Sequence, residues 1–331
     1  MTETDQATSG KQVYREVEAD LEVLRRETVA DGVVTLTLAD QAGADLPEWS
    51  AGAHIDLLLT PSLVRQYSLC GSTSKRSEWV VAVLLDPDSR GGSQFIHEEL
   101  SEGSTVRVRG PRNHFPMVGS PRYQFIAGGI GITPILPMIE AAEARGADRQ
   151  LLYGGRARAS MAFLDPLERF GDRVTVSPRD ERQSRLELDS VLAEPQGDTL
   201  VYCCGPEGLL GAVEGACRPW PDDSLRIERF SAKPLEEPPP DALDTFEVEC
   251  QASGVTVTVP ANRSIYEALE EEGVAVLGSC MEGVCGTCEC DVIEGEPDHR
   301  DSVLSEAERA RGDMIMVCVS RSRSERLVLD I

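Results

Sequence analysis

Four cysteines stand within eleven consecutive positions of the stretch GSCMEGVCGTCECDV, residues 278–292 of a 331-residue chain. Such a density is compatible with a disulfide framework, a zinc site, a redox dithiol or the ligand set of an iron–sulfur cluster. The first twenty residues are polar and contain no apolar segment of the kind that directs secretion. We therefore expect a cytoplasmic protein, in which thiols stay reduced and disulfides are rare.

The spacing of the cysteines separates these possibilities. Cys280, Cys285 and Cys288 follow the pattern C-x4-C-x2-C, and 29 residues separate Cys288 from Cys318. This is the ligand pattern of a plant-type [2Fe-2S] cluster, whereas a structural zinc site usually presents two close pairs of cysteines or histidines. We therefore predict a [2Fe-2S] cluster whose metal ligands are Cys280, Cys285, Cys288 and Cys318.

The other cysteines of the chain are expected to be core residues. Cys290 alternates with Cys288 along the strand that follows the loop, so its side chain points to the opposite face. The same interpretation applies to Cys70, Cys203, Cys217 and Cys250. Within the loop, Gly283 and Gly286 allow one tight turn to wrap the cluster and aim backbone N–H groups at its sulfurs.

The patterning of the chain predicts three domains. Short strands separated by glycine, proline and serine turns over 13–118 predict an antiparallel β-barrel. Buried strands that alternate with helices over 119–231 predict an α/β domain with a parallel sheet. The proline- and glutamate-rich segment 232–244 predicts a stiff, extended linker. Beyond it, a hairpin strand, a helix from about Ser264 and the cysteine loop make 245–331 resemble a β-grasp (α+β) ferredoxin domain.

The charge of the chain restricts its partners. A formal net charge of −25 argues against nucleic acid or an anionic membrane surface, and no apolar run approaches the roughly 20 residues needed to cross a bilayer. Residues 241–331 hold 20 Asp and Glu against 7 Arg, a net charge of −13. This acidity serves solubility, or it steers the domain towards a basic patch on a redox protein.

The stretch RQYSLCGS, residues 65–72, stands at the end of a predicted barrel strand. A flavin needs an aromatic cover for its ring, a small hydrogen-bond donor near N5 and a cation for its phosphate. Tyr67, Ser68 and Arg65 are residues of these three types. An isolated R-x-Y-S is a weak signal, so it needs support from a second motif.

A glycine-rich segment downstream, SRGGSQFIHEEL, supplies that support. Gly91 and Gly92 allow backbone conformations that other residues avoid. Ser93 is expected to cap a short helix whose N-terminus would bind a phosphate. The alternative is a glycine-rich turn before a surface helix.

The stretch FIAGGIGITPILPM runs from a predicted strand into a predicted helix. Gly128, Gly129 and Gly131 permit a tight turn with close backbone approach to a pyrophosphate. The helix that Thr133 and Pro134 begin would point its positive end at the same place. Because the stretch departs from G-x-G-x-x-G, the alternative is an ordinary strand-to-helix turn.

These motifs, followed by YCCGPEGLL at 202–210 and by the ferredoxin cysteines, resemble the ferredoxin reductase superfamily. Within it, the chain resembles the phthalate dioxygenase reductase family, which carries a C-terminal ferredoxin domain, and is similar to vanillate O-demethylase reductase subunits. The resemblance covers about residues 15–331.

The resemblance implies FMN as the flavin, because no additional element for the adenylate of FAD is visible in the sequence. In this family the arginine of R-x-Y-S contacts the phosphate, the tyrosine packs on the isoalloxazine and the serine bonds near N5. The FMN-binding residues carried over are Arg65, Gln66, Tyr67, Ser68, Gly91, Gly92 and Ser93. Phe230 would lie over the flavin, or else it is a core aromatic residue.

The resemblance also implies a nicotinamide donor, with NADH expected and NADPH possible. Arg156 and Arg158 follow the second strand, where cations could bind a 2′-phosphate. Ser68 and Cys204 are the expected catalytic residues, since both would approach the reacting rings. The other nicotinamide-binding residues are Gly128, Gly129, Gly131, Thr133, Pro134, Gly205 and Pro206.

The function that the resemblance implies is that of an NAD(P)H-dependent flavin iron-sulfur oxidoreductase. We expect a monomeric reductase component of a multicomponent oxygenase, which moves electrons from NAD(P)H to FMN, to [2Fe-2S] and to a terminal Rieske-type oxygenase or demethylase. Alternatives are a reductase for a cytochrome P450, a stand-alone redox protein acting on a small acceptor, and a regulatory redox sensor. Substrate specificity would reside in the partner.

Overall fold

The computed structural model describes residues 16–331 apart from 62, 88–90, 183–185 and 233–244. Nearly all of the predicted linker therefore lies outside the described residues. The chain forms an antiparallel barrel, a parallel α/β sheet and a ferredoxin-like sheet, in that order, so the predicted multidomain fold class is confirmed. Within the described ranges, no helix combines the length and the hydrophobicity needed to cross a membrane.

Six antiparallel strands build the barrel: β1 (Val17–Ala30), β2 (Val33–Ala39), β3 (His54–Thr60), β4 (Leu63–Ser68), β5 (Trp79–Leu84) and β6 (Thr105–Arg112). Their order is β4-β3-β6-β1-β2-β5. A bridge between Leu69 and Val81 joins the two edges and closes the sheet. Helix α1 (Gly92–Glu99) connects β5 to β6 and buries Ile96 in the barrel core.

The second unit is a parallel sheet in the order β11-β10-β7-β8-β9. Its strands are β7 (Arg122–Gly128), β8 (Asp148–Gly155), β9 (Val174–Pro178), β10 (Thr199–Cys204) and β11 (Leu225–Glu228). Its helices are α2 (Ile132–Ala144), α3 (Leu164–Glu168), α4 (Arg179–Arg182), α5 (Asp189–Leu192) and α6 (Glu207–Ala216). The strand order reverses between β7 and β10, and in such sheets ligands bind beyond the carboxyl ends of the strands at this switch point.

The third unit is a five-stranded sheet in the order β13-β12-β18-β14-β16 with a separate pair β15-β17. Its strands are β12 (Phe246–Cys250), β13 (Val255–Val259), β14 (Glu289–Glu294), β15 (Pro297–Asp298), β16 (Met314–Met316), β17 (Arg321–Ser322) and β18 (Arg326–Leu329). Its helices are α7 (Ile265–Glu271) and α8 (Glu306–Arg311). Ser264 and Glu267 form a capping box at the start of α7, where the sequence predicts a helix.

Strand register brings the distant cysteine to the cysteine loop. β14 and β16 are antiparallel, with Cys290 opposite Ile315. Cys288 immediately precedes β14 and Cys318 follows β16, so both lie at the same end of the pair. The Val317 N–H also donates to the Cys288 carbonyl oxygen at 3.2 Å. Tertiary pairing thus joins residues that are 30 positions apart.

Candidate functional site

The four predicted ligand cysteines converge on one place. The Cys280 thiol is within hydrogen-bonding reach of the thiols of Cys285 and Cys318, and Cys318 in turn reaches Cys288. Hydrogen bonds from Cys285 and Cys318 lower the pKa of Cys280 well below its usual range. The Glu282 N–H also donates to Cys280 Sγ at 3.3 Å, an interaction that favours the charged form of a thiol.

This sulfur group fits an iron–sulfur cluster. Four thiolates are the donor set that such clusters take. Beside them, Ser279 Oγ is buried and has no hydrogen-bond partner within the described ranges, a polar group that a cluster sulfur would satisfy. Cys290 is buried in the hydrophobic core of the domain, where its thiol contacts the carbonyl oxygen of Cys288 at 3.8 Å. Cys70, Cys203, Cys217 and Cys250 are also buried.

The two motifs predicted to bind a flavin phosphate meet in the barrel. A Cβ atom placed on Gly92 would lie 2.3 Å from Cγ and 2.8 Å from Nε of Arg65, so the arginine stem runs directly across the glycine backbone. Gly91 adopts a left-handed conformation with φ 85° at the N-terminus of α1. A cation and the positive end of a helix therefore share one location.

The expected role of Ser93 as the helix cap is wrong. Helix α1 begins at Gly92, and the residue in the cap position is Gly91. Ser93 is buried inside the first turn, where its Oγ accepts a hydrogen bond from the Asp86 N–H at 3.2 Å. The left-handed turn at Gly91 lets the helix start at Gly92, one residue before the serine, because glycine adopts positive φ without a steric cost.

The strand β4 presents the remaining residues of the R-x-Y-S motif. Tyr67 packs against the barrel core, and burial raises its pKa, so its phenol is neutral. Gln66 Nε2 is buried and lacks a hydrogen-bond partner in the described part of the chain. A buried amide donor without a partner is rare in a folded protein, and flavin ring oxygens or nitrogens would satisfy it. The site therefore fits a flavin.

The two turns predicted to bind the nicotinamide nucleotide pack on each other at the switch point of the parallel sheet. A Cβ atom on Gly131 would lie 2.3 Å from the carbonyl oxygen of Cys204, and one on Gly128 would lie 2.8 Å from Cδ of Pro206. The chain turns through a short 3-10 segment over Gly129–Gly131. Helix α2 then begins at Ile132, one residue before the predicted start at Thr133 and Pro134.

Glu228, which the sequence reasoning missed, connects the flavin and nicotinamide motifs. Its Oε2 accepts hydrogen bonds from Ser68 Oγ at 3.5 Å and from Cys204 Sγ at 3.9 Å. Desolvation raises the pKa of Glu228 to about 8, although both hydrogen bonds oppose this shift. Desolvation, followed by the nearby Glu228 charge, keeps the pKa of Cys204 well above its usual range. In the sequence, Glu228 could have been noticed as an acidic residue inside SLRIERF, a stretch that otherwise has the pattern of a buried strand.

Three further predicted residues lie at or near the surface of the nicotinamide domain. Phe230 is 42% exposed, so the interpretation as a core aromatic is wrong and its ring is free to cover a ligand. Arg156 is exposed. Arg158 is held by Glu181, whose carboxylate accepts from Arg158 Nε at 2.6 Å and from Nη2 at 3.0 Å. A 2′-phosphate would have to displace this carboxylate.

Two protein-family models match the chain. The model described as "2Fe-2S iron-sulfur cluster binding domain" matches residues 248–323, and "Oxidoreductase NAD-binding domain" matches residues 125–215. Phenoxybenzoate dioxygenase subunit beta of Ectopseudomonas oleovorans is 42% identical over 91% of this chain and 94% of its own length. Vanillate O-demethylase oxidoreductase of Pseudomonas putida is 38% identical over 94% and 99%.

Two solved structures resemble the chain over 95% of its length. Phthalate dioxygenase reductase, described as modular for electron transfer from pyridine nucleotides to [2Fe-2S], has a TM-score of 0.69 and 35% identity, with 98% of that chain covered. An intact type IV self-sufficient cytochrome P450 monooxygenase has a TM-score of 0.89 and 46% identity. The present chain spans only 41% of the length of that monooxygenase.

The fold and the site together define a nicotinamide-dependent iron–sulfur oxidoreductase. The chain belongs to the phthalate dioxygenase reductase family, as its sequence motifs predict.

Proposed function

We propose that this chain is the reductase component of a multicomponent oxygenase, which passes electrons from NADH through FMN to a [2Fe-2S] cluster and then to a terminal oxygenase. One observation carries the proposal: Glu228 bonds to both Ser68 and Cys204, so the flavin and nicotinamide motifs share one reaction site. The full-length relatives, a dioxygenase subunit and a demethylase oxidoreductase, support the assignment.

The proposed units are an FMN-binding barrel over 13–118, a nicotinamide domain over 119–231, a linker over 232–244 and a ferredoxin domain over 245–331. When bound, FMN would accept the two electrons of a hydride and release them one at a time, which reconciles the nicotinamide with a one-electron cluster. No side chain has to act as a nucleophile or as a general acid or base, and the residues instead bind and orient.

The proposed flavin-binding residues each suit a different part of the flavin. Arg65 and the N-terminus of α1 hold the phosphate, because a guanidinium and free backbone N–H groups both favour an anion. Tyr67 covers the ring, and the Gln66 amide satisfies a polar edge. Phe230, with its exposed ring, would cover a bound flavin.

The nicotinamide-binding residues bring the donor to Ser68. The turn Gly128–Gly131 admits the pyrophosphate at the start of α2, together with Thr133 and Pro134, while the turn Cys204–Pro206 supports the nicotinamide. Cys204 is fully buried and its thiol is neutral, so it would border the nicotinamide without adding charge. Glu228 then orients both the Ser68 hydroxyl and the Cys204 thiol.

An anaerobic titration tests the proposed function. Stoichiometric NADH should bleach the flavin absorbance and then produce the electron paramagnetic resonance signal of a reduced cluster. A cluster that stays oxidised while the flavin is reduced would instead favour a stand-alone flavin reductase that acts on a small acceptor. Flavin that stays oxidised would favour a redox sensor without catalytic turnover.

The nicotinamide preference follows from the pair between Arg158 and Glu181. Replacing Glu181 by serine frees the Arg158 guanidinium to meet a 2′-phosphate. We expect the KM for NADPH to fall about tenfold, as for one added charge-assisted contact of about 1.5 kcal/mol, while the KM for NADH changes little. Steady-state ferricyanide reduction measures both constants. Glu168→Ser, on α3 of the same domain, is the control; an unchanged NADPH constant in Glu181→Ser would contradict the interpretation.

The terminal partner is proposed to be a Rieske-type oxygenase or demethylase with a basic docking surface. Leu277 and Met281, on either side of Cys280, are 56% and 43% exposed, and Met281 has a positive φ of 55°. Glu270 and Glu272, which precede Leu277 in the same stretch of sequence, are also exposed. An apolar patch with an acidic rim, next to the most accessible ligand cysteine, suits a basic protein acceptor.

Cytochrome c, a basic one-electron acceptor, probes this patch. The double variant Leu277→Ser, Met281→Ser should raise the KM for cytochrome c about fivefold, since losing two partly exposed apolar contacts costs about 1 kcal/mol. NADH-dependent ferricyanide reduction should not change. Ile293→Ser is the matched control, because Ile293 is also a 48% exposed side chain of the ferredoxin domain. Equal constants for all three proteins would show that acceptors dock elsewhere.

A second candidate partner is a cytochrome P450, favoured by the 46% identity to the self-sufficient P450 monooxygenase. Mixing the NADH-reduced protein with a purified P450 under carbon monoxide, and separately with a purified Rieske oxygenase, compares the two acceptors directly. We expect faster reduction of the Rieske centre.

We further propose that the protein acts as a monomer in the cytoplasm, where its ten cysteines remain reduced.

A further inference from the structure

Two side chains of the barrel region reach the cysteine loop of the ferredoxin domain. Arg109 Nη2, on β6, donates to the Gly278 carbonyl oxygen at 3.3 Å. The His114 imidazole, just beyond β6, lies against Gly286: a Cβ atom on that glycine would be 2.6 Å from both Cε1 and Nε2 of the ring. The two contacts flank the segment that contains Cys280 and Cys285.

The conformation of the loop at Gly286 leaves room for the imidazole. Gly286 is buried and has a φ of 71°, a left-handed conformation that other residues adopt at a cost. Any side chain there would also occupy the space of the His114 ring. Gly286 is therefore needed for two reasons: it allows the turn that leads to Cys288, and it leaves space for the His114 ring of the barrel region.

The barrel side of this contact is held rigid by buried charge. The Asp56 carboxylate is fully buried and accepts from Arg109 Nε at 3.1 Å and Nη2 at 2.9 Å. Arg112 pairs with the same oxygen at 2.6 Å. The ring of His54, also buried, stacks on His114 with centroids 5.5 Å apart and planes 20° apart. Buried ion pairs add little net stability, so a positional role accounts better for this arrangement.

We propose that Arg109 and His114 are positioning residues, which hold the cysteine loop against the flavin barrel and thereby set the rate of electron transfer from flavin to cluster. This inference rests on the proposed electron route. The barrel and the ferredoxin domain are separate units that meet at this contact. Orientation then depends on the contacts of Gly278 and Gly286. In the transfer itself, the reduced flavin loses one electron and the oxidised cluster gains it.

Anaerobic stopped-flow measurements on the full-length holoprotein test the role of these residues. In His114→Ala and in Arg109→Ala, NADH should reduce the flavin at the wild-type rate, while cluster reduction slows at least about tenfold, because misplacement by about 1 Å can slow a positioned step on the order of 100-fold. Hydrogen exchange of the backbone over 278–290 should increase in the same variants. The cluster absorbance in the resting protein should be retained.

Arg107→Ala is the matched control, because Arg107 lies on the same strand, two residues from Arg109, and pairs with exposed Glu18 at 2.7 Å. If Arg109→Ala fails to fold after leaving Asp56 with one cation, His114→Ala decides the question, since it leaves the ion pairs intact. Wild-type rates of cluster reduction and unchanged exchange in His114→Ala would overturn the positioning role. A wild-type cluster that NADH never reduces would instead overturn the proposed function.

Discussion

Replacing Cys318 by serine is expected to abolish NADH-dependent reduction of cytochrome c while leaving NADH-dependent reduction of ferricyanide in place. Cys318 closes the chain of sulfur contacts between Cys280 and Cys288, and a serine hydroxyl is a poor substitute for a thiolate. Loss of an outer-shell partner already costs about 10- to 100-fold in metal affinity, so loss of a direct ligand should lower cytochrome c reduction by at least about 100-fold. Ferricyanide reports on the flavin alone.

Cys290→Ala provides the control for this experiment. Cys290 lies only two residues from Cys288 and is buried, yet its thiol contacts the Cys288 carbonyl and not the ligand sulfurs. We expect this variant to keep its iron, its visible absorbance and its cytochrome c activity, with only a modest loss of thermal stability. Wild-type cytochrome c reduction in Cys318→Ser would show that electrons bypass the cluster.

Replacing Glu228 by glutamine is expected to slow flavin reduction by NADH about 10- to 100-fold above pH 8, as for the loss of one electrostatic contact in a reaction site. The nicotinamide ring gains positive charge as the hydride leaves, and a carboxylate beside Cys204 stabilises that charge. Because the pKa of Glu228 is raised to about 8, the carboxylate forms as pH rises from 7 to 9. The wild-type rate should rise over this interval, whereas the rate of the variant should stay flat.

The same carboxyl group links stability to pH. A raised pKa in the folded state means that the folded protein holds the proton more tightly, so the contribution of Glu228 to stability is complete below about pH 4.5 and is lost as pH rises through about 8. The melting temperature of the wild type relative to Glu228→Gln should therefore decrease over this interval. Glu194→Gln, at an exposed position of the same domain, is the control. Parallel pH profiles for Glu228→Gln and the wild type would contradict the assignment.

Local patterns in the sequence predict most of the architecture and of the cluster site. Three of the four ligand cysteines lie in a single loop, and the strand and helix periodicities on each side of 232–244 differ enough to separate the units. The helix after Ser264 is also correctly predicted, because a capping box is a feature of four consecutive residues. The mistaken cap at Ser93 shows the limit of such reasoning, since the turn at Gly91 starts the helix earlier.

Contacts between remote segments escape the same reasoning. Glu228 reaches Ser68 across 160 positions, and Arg109 reaches Gly278 across 169. Glu181 pairs with Arg158 from helix α4, 23 positions along the chain. In each pair, one residue lies outside every motif that the sequence offers, namely Glu228, Arg109 and Glu181, so local patterns do not predict the contact.

Residue types and spacing were sufficient to predict the chemistry: four cysteines for the cluster, glycine-rich turns for phosphates and an R-x-Y-S strand for the flavin. They could do so because ligands, turns and helix starts depend on interactions within a few residues of one another. Only the tertiary structure decided how the three units meet. The raised pKa of Glu228 and the contact between Gly286 and His114 both arise from packing between segments that are far apart in sequence.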